Sequence, residues 1–307
     1  MFGLKHYNYD TFTKDLLVND ALKSKFRRGP RPGDSAPDFE GRTLDGEWIR
    51  LKDYKGRKNV VLTFGSATCP FTAASIEGLN DLYHEYAGDD VEFPFVYVRE
   101  AHPGERLGRR ETFDDKKEAA QRFREEESLD VPIIVDDLNG KIHRKYGGLP
   151  NPTYIIDKSG RVAFRARWTR PNVIEDALDE LLERQQERDT EHAIVHGGED
   201  TSMPLTLAMF HAHRALGRGG RKAIADFRRE LGVPGRIVHT ASRVAEPIVL
   251  HPGRAIAGVL IAGGVIVGGL LLGHKMRQKR YAGLRDPYRY QMPRRRSNAE
   301  GDYAVGI

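Results

Sequence analysis

The spacing of apolar positions changes several times along the chain, and each change marks an element. Thr13 to Leu22 has loose helical spacing, and Arg27-Arg28-Gly29-Pro30-Arg31-Pro32-Gly33 breaks it. A turn at Asp45-Gly46, flanked by short apolar positions, predicts a hairpin. Asn59 to Phe64 is a nearly continuous β-branched run, the signature of a strand buried on both faces, and it stops at Gly65-Ser66. From Pro70 to Tyr86 the apolar residues Ile76, Leu79, Leu82 and Tyr83 fall at helical intervals. A second buried strand is predicted over Val91–Val98, a highly charged helix over about Asp114–Leu129, and a third strand over Val131–Val135. A pair of strands, Thr153–Asp157 and Val162–Ala166, brackets Lys158-Ser159-Gly160, and a closing helix runs from Asn172 to Arg184. Strands alternating with helices, followed by a hairpin and a helix, place the chain in the α/β class with a mixed sheet covered on both faces.

Beyond this domain the pattern changes. Residues 1–29 read as a helical lead-in, 30–185 as the α/β domain, and 186–253 as a linker with short helices near Pro204–Leu216 and Arg221–Leu231. Residues 254–274 are expected to form a single transmembrane helix. Within them Ala255 to Gly273 carries no charged or strongly polar side chain, and nineteen residues at about 1.5 Å each span roughly 28 Å, the hydrocarbon thickness of a bilayer. Gly264 and Gly268, with Gly269 and Gly273, have spacing that lets helices approach closely, so a homodimer is compatible with this span. Residues 275–307 form a basic tail. Between Arg277 and Ile307 eight basic residues face three acidic ones, which accounts for the whole net charge of +5. That tail fits anionic lipid or solvent, and the balanced remainder gives no reason to expect a nucleic-acid surface. The positive-inside rule places the tail in the cytoplasm. With a single span that would put the α/β domain outside; no export signal precedes the domain, so the opposite orientation, with the domain on the cytoplasmic side, is the one expected.

The chemistry concentrates at Cys69, the only cysteine of 307 residues, between a buried strand and a helix start. A helix N-terminus offers free N–H groups and positive potential, which favour the nucleophilic thiolate. Ser66, Thr68 and Thr72 add hydroxyl donors. Thr72 stands where a CxxC protein carries its second cysteine, so no intramolecular disulfide can form and the regenerating thiol must come from outside. Glu100 and His102 follow the second strand and fall on the same sheet edge. An imidazole there can donate a proton, with a carboxylate fixing its tautomer. Pro152, just before a strand, is expected to be cis and to bring backbone beside Cys69. His192 with His196, and His211 with His213, lack a third ligand at convincing spacing, so no metal is expected.

These residues carry a family resemblance. Gly33-Asp34-Ser35-Ala36-Pro37-Asp38-Phe39 looks like the opening of redoxin and peroxiredoxin-type domains. Phe64-Gly65-Ser66-Ala67-Thr68-Cys69-Pro70-Phe71, followed by Val96-Tyr97-Val98-Arg99-Glu100-Ala101-His102-Pro103, resembles the iodothyronine deiodinase family over roughly residues 33–170. The resemblance implies a thioredoxin-like fold and reductive removal of iodine from an aromatic ring, with an external thiol reductant and no further cofactor. It places Cys69 at the family's selenocysteine position and Glu100 with His102 at its acid–histidine pair. The chain departs from the family in having sulfur for selenium and a single proline, Pro70, before Phe71. Two other readings are a peroxiredoxin-like peroxidase and a non-catalytic thioredoxin-fold membrane adaptor. Ser66 suits the peroxidase, but Leu62 stands where that class has proline.

Overall fold

The computed structural model describes residues 7–25, 28–88, 90–188 and 190–250; the side chains of 24–25 and 246–250 are not described. The apolar run over 255–273 and the basic tail lie outside the described residues. Among the described residues no helix is long and apolar enough to cross a membrane.

The chain opens with α1 (Lys14–Lys25) and a small antiparallel hairpin, β1 (Glu40–Arg42) and β2 (Trp48–Arg50). A larger sheet follows, built from β3 (Asn59–Gly65), β4 (Val91–Glu92), β5 (Phe95–Tyr97), β6 (Ile133–Val135), β7 (Thr153–Ile156), β8 (Val162–Ala166) and β9 (Glu199–Asp200). Its order is β6-β5-β3-β7-β8-β9, with β4 also paired to β3. β3, β5 and β6 run parallel, while β7 is antiparallel to both β3 and β8. The predicted second strand is two short pieces because Pro94 has no N–H to donate to the ladder; its carbonyl still accepts from Thr63 N at 3.1 Å.

The sheet separates two cores. On one face α2 (Pro70–Tyr86), α3 (Phe113–Glu127) and α5 (Pro171–Arg188) bury Ile76, Phe123 and Leu178 against Val61, Phe95 and Ile155. On the other, the hairpin and α4 (Lys141–Lys145) cover Val60, Leu62, Phe64 and Ile156. Alternate β3 residues thus serve opposite cores, as the unbroken apolar run requires. α3 begins with a capping box: Thr112 Oγ1 accepts from Asp115 N at 3.1 Å, and Asp115 returns the bond to Thr112 N.

The segment read as a linker is not one. Residues 205–250 form α6 (Leu205–Gly219), α7 (Arg221–Glu230) and α8 (Gly232–Leu250), and α6 packs against both α2 and α8. A third core, Phe12, Leu16, Ala212, Leu216 and Phe227, joins these helices to the N-terminal segment, so residues 7–250 belong to one compact unit. Leu216 is fully buried there. Leu216→Ala is expected to lower unfolding free energy by about 2–5 kcal/mol, measured by denaturant unfolding. A loss well below that range would mean that α6 is only loosely attached.

Candidate active site

β3 delivers the chain to its C-terminal edge at Gly65, and α2 leaves from it with Cys69 as N-cap and Pro70 in the first turn. Gly65 is required by crowding. A Cβ there would sit 2.5 Å from the Phe95 ring and 2.7–2.8 Å from the Thr72 side chain. That close approach lets the Thr72 hydroxyl accept from Ser66 N at 3.4 Å.

The thiol loop is stitched to the end of β5. Glu100 Oε2 accepts from Thr68 N (3.0 Å) and from Thr68 Oγ1 (2.8 Å), while its other oxygen accepts from the Tyr97 hydroxyl. Thr68 Oγ1 in turn accepts from His102 N at 3.0 Å, and Ser66 Oγ accepts from Ala101 N at 3.3 Å. Ser66, Thr68, Glu100 and His102 are therefore brought together with Cys69, but in different roles from those expected. Glu100 holds the Thr68 peptide and does not orient the His102 ring. That ring has no hydrogen bond at Nδ1; it lies between Phe12 and Phe227, at centroid distances of 4.3 and 5.5 Å. Pro152 also differs from expectation. Its peptide bond is trans, as are all those among the described residues, and its carbonyl accepts from Phe64 N at 3.0 Å, closing the β3–β7 ladder.

The thiolate expected from the helix start is not what the structure favours. Cys69 is 1 % exposed. The Thr72 and Phe71 backbone groups and the Thr72 hydroxyl pull its pKa down, but burial outweighs them and pushes the thiol up. The cover comes from residues the sequence did not single out. At the end of α6, Arg218 Nη1 donates to the Ala67 carbonyl (3.3 Å), and its other nitrogens pair with Glu126 (2.9 Å) and Glu127. Arg214 bonds Glu127 (3.2 Å) and the Ala73 carbonyl (3.2 Å). Gly219 fits against the site because it has no side chain: a Cβ would lie 2.7 Å from the His102 carbonyl. The Glu105 carboxylate accepts from Arg221 N and Lys222 N, fixing the start of α7. From the N-terminal side Tyr9 donates to the Ala101 carbonyl at 3.1 Å, while the Arg99 guanidinium stacks over Tyr7 and Tyr9. The sequence does hold one signal for this cover. Arg214 and Arg218 are one helical turn apart and match the acidic pair Glu126-Glu127. Of the histidines set aside earlier, His192 pairs with Asp157 at 2.5 Å and His213 with His239 at 3.3 Å. Among the described residues no group of three metal-ligating side chains occurs.

Two outcomes follow from the cover. Cys69 is expected to react slowly with 4,4′-dithiodipyridine in the native protein and at least about tenfold faster in Arg218→Ala, read by thiopyridone release; equal rates would show that α6 does not gate the thiol. Burial also lowers the pKa of His102 to about 3, from an ordinary 6.5. A folded-state value below the unfolded one means that the unfolded chain binds the extra proton. Stability is therefore lost as pH falls below about 6.5, with the slope fading near 3 and reaching at most about 1.4 kcal/mol per pH unit. Denaturant unfolding at several pH values should show this slope reduced in His102→Leu; parallel curves would refute it.

Comparison with known proteins agrees with this geometry at the level of the fold. Residues 32–165 match the family described as AhpC/TSA. Type I iodothyronine deiodinase of Xenopus laevis is 28% identical over 144 residues, which is 44% of this chain and 56% of the deiodinase. Thiol-disulfide oxidoreductase ResA of Bacillus thuringiensis subsp. konkukian (strain 97-27) is 32% identical over 131 residues, 42% of this chain and 66% of that protein. Among solved structures, the exposed lipoprotein thioredoxin Etrx1 of Streptococcus pneumoniae strain TIGR4 is 30% identical, covering 47% of this chain and 100% of that one with a TM-score of 0.36. The match to these curated relatives spans less than two thirds of their length. The likeness to the AhpC/TSA family thus lies in residues 32–165, less than half of the chain, which hold the mixed sheet and the Cys69 loop.

Proposed function

We propose that the chain is a single-cysteine, thiol-dependent reductase of small halogenated aromatic compounds, tethered to a membrane by residues 255–273 with its domain on the cytoplasmic side. The observation that carries the reading is the pairing of Cys69 at the start of α2 with Thr72, not a second cysteine, one turn later. The ResA relatives are named as thiol-disulfide oxidoreductases. This chain lacks the second sulfur that intramolecular exchange needs, so its chemistry must pass through a bond between Cys69 and an external atom.

Three steps balance. The Cys69 thiolate takes the halogen from the aromatic ring as a proton reaches the ring carbon, giving the dehalogenated ring and a sulfenyl halide. An external thiol then displaces halide, forming a mixed disulfide and releasing a proton. A second thiol displaces Cys69 and leaves as the external disulfide. One substrate is reduced by two electrons, and two external thiols supply them. Ser66, Thr68 and Thr72 hold the loop that presents the sulfur. Glu100 fixes Thr68, and Pro152 fixes the neighbouring ladder. His102 is neutral in the closed state, and the unpartnered Nδ1 is the atom that water would reach when the cover lifts, so it is assigned the proton transfer.

The test is turnover by the full-length protein in detergent, with dithiol as reductant and iodophenols, bromophenols or peroxide as substrate. Halide release is expected, and Cys69→Ser should fall to the uncatalysed background. Peroxide reduction without halide release would replace this reading with a peroxidase. No Cys69-dependent turnover of any substrate would leave the domain a binding module.

A further inference from the structure

A redox cycle through a single cysteine, as proposed above, is completed by a sulfur that arrives from solution, and a groove beside the thiol loop suits the carrier of such a sulfur. A cavity of about 500 Å³ lies beside the thiol loop, lined by Arg106, Leu107, Arg122, Glu126, Arg214 and Arg218 among others. That volume is in the range of small-molecule sites. We infer that this groove docks a small thiol bearing a carboxylate, which resolves oxidised Cys69; the inference rests on reading Cys69 as a thiol that turns over.

Charge is the first argument. Four guanidiniums face the groove. Arg122 pairs with Glu118 (2.7 Å), Arg218 with Glu126 and Glu127, and Arg214 with Glu127, so three carboxylates oppose four cations. The fourth, Arg106, is exposed; the neighbouring Glu105 carboxylate feels its charge but spends its oxygens on Arg221 N and Lys222 N, and no salt bridge to Arg106 forms among the described residues. A guanidinium is suited to a carboxylate because its planar fork matches two oxygens at once. Leu107, 6 % exposed, gives the methylenes of such a thiol an apolar contact.

Position is the second argument. The arginines lining the groove also hold the peptides on either side of the thiol. Arg218 binds the Ala67 carbonyl, two residues before Cys69, and Arg214 binds the Ala73 carbonyl, four residues after it. The Arg106 N–H donates to the Gly219 carbonyl at 3.1 Å, at the end of the covering helix. A carboxylate that takes the place of Glu126 or Glu127 on these guanidiniums exchanges one ion pair for another at little electrostatic cost. The same exchange loosens the bonds that hold α6 over Cys69. Docking of the reductant and uncovering of the sulfur are then one event. In the reaction the docked thiolate attacks the oxidised Cys69 sulfur and displaces the group it carries, forming a mixed disulfide. A second thiolate then attacks the outer sulfur of that disulfide, the two external thiols leave joined as their disulfide, and Cys69 departs as thiolate.

The experiment uses the full-length protein and needs no natural substrate. Cys69 is converted to its thiopyridyl disulfide with 2,2′-dithiodipyridine, and thiopyridone release is followed with glutathione, which bears two carboxylates, or with neutral 2-mercaptoethanol. Rates are compared at equal thiolate concentration. Saturation with glutathione and linear dependence on mercaptoethanol are expected, and S-methylglutathione, which has no thiol, should compete with the former. The ratio of the two rates should fall about tenfold in Arg106→Ala with Arg122→Ala, the loss of one charge-assisted pair. It should hold in Arg188→Ala, an exposed arginine at the end of α5. A wild-type protein with no preference for glutathione overturns the groove while leaving Cys69 reactive. A preference that survives the double variant overturns it as well. Failure of Cys69 to form the thiopyridyl disulfide, even after brief mild denaturation, overturns the turnover reading itself.

Discussion

The carboxylate of Glu100 is the constraint on which the site rests. It accepts the backbone N–H and the hydroxyl of Thr68, and so ties the loop before Cys69 to the end of the neighbouring strand. Three donors, including the Tyr97 hydroxyl, satisfy a charge that is 5 % exposed, and a buried carboxylate persists only when so bonded. The clamp sets where α2 begins and therefore where the sulfur sits. It also places the His102 peptide, because His102 N reaches the same Thr68 hydroxyl. An acid and a histidine two residues apart look like a proton relay in sequence; in space the acid is a fastener, and the histidine ring packs between Phe12 and Phe227 without touching it.

Two opposed effects act on Cys69. The helix start supplies N–H donors that stabilise a thiolate, and burial removes the water that would stabilise it more. Burial wins, with Cys69 1 % exposed. Around the loop that carries it, Arg218 of α6 holds the Ala67 carbonyl, Arg99 stacks over Tyr9, and the His102 ring lies between Phe12 and Phe227. The N-terminal donors regain their effect once water enters. The same residues that would activate an open thiol therefore surround one that burial holds protonated.

Local order made much of the domain legible in the sequence. The β3 run, the helix from Pro70 to Tyr86 and the Asp45-Gly46 hairpin all announce themselves through period and turn chemistry within about twenty residues. Pro94 interrupts its strand for a reason the sequence also contains. The cover was illegible because its partners are remote: Phe12 and Leu16 meet Leu216 and Phe227 across some two hundred residues. α8 was hidden further by Pro234 and Gly235 near its start and Pro247 near its end, residues that ordinarily break helices. Pro152 misled differently. Its position before a strand suits either isomer, and the ladder bond from Phe64 to its carbonyl is what the trans form supplies.

The chain therefore divides its work between a domain type that many proteins share and a helical addition that few of its contacts would reveal. A lone sulfur at a sheet edge is a liability in a thiol-rich solution, since any passing disulfide or oxidant can capture it and no second cysteine is present to rescue it. Two solutions exist: raise the thiol pKa, or exclude the reagent. Burial under α6 does both at once. Its fastening by guanidinium–carboxylate pairs, and not by apolar packing alone, makes the closure sensitive to anions in a way that a hydrophobic lid would not be. Selectivity of this protein for what reaches Cys69 is for that reason a property of the charges on α3 and α6, which lie outside the motif that identifies the domain.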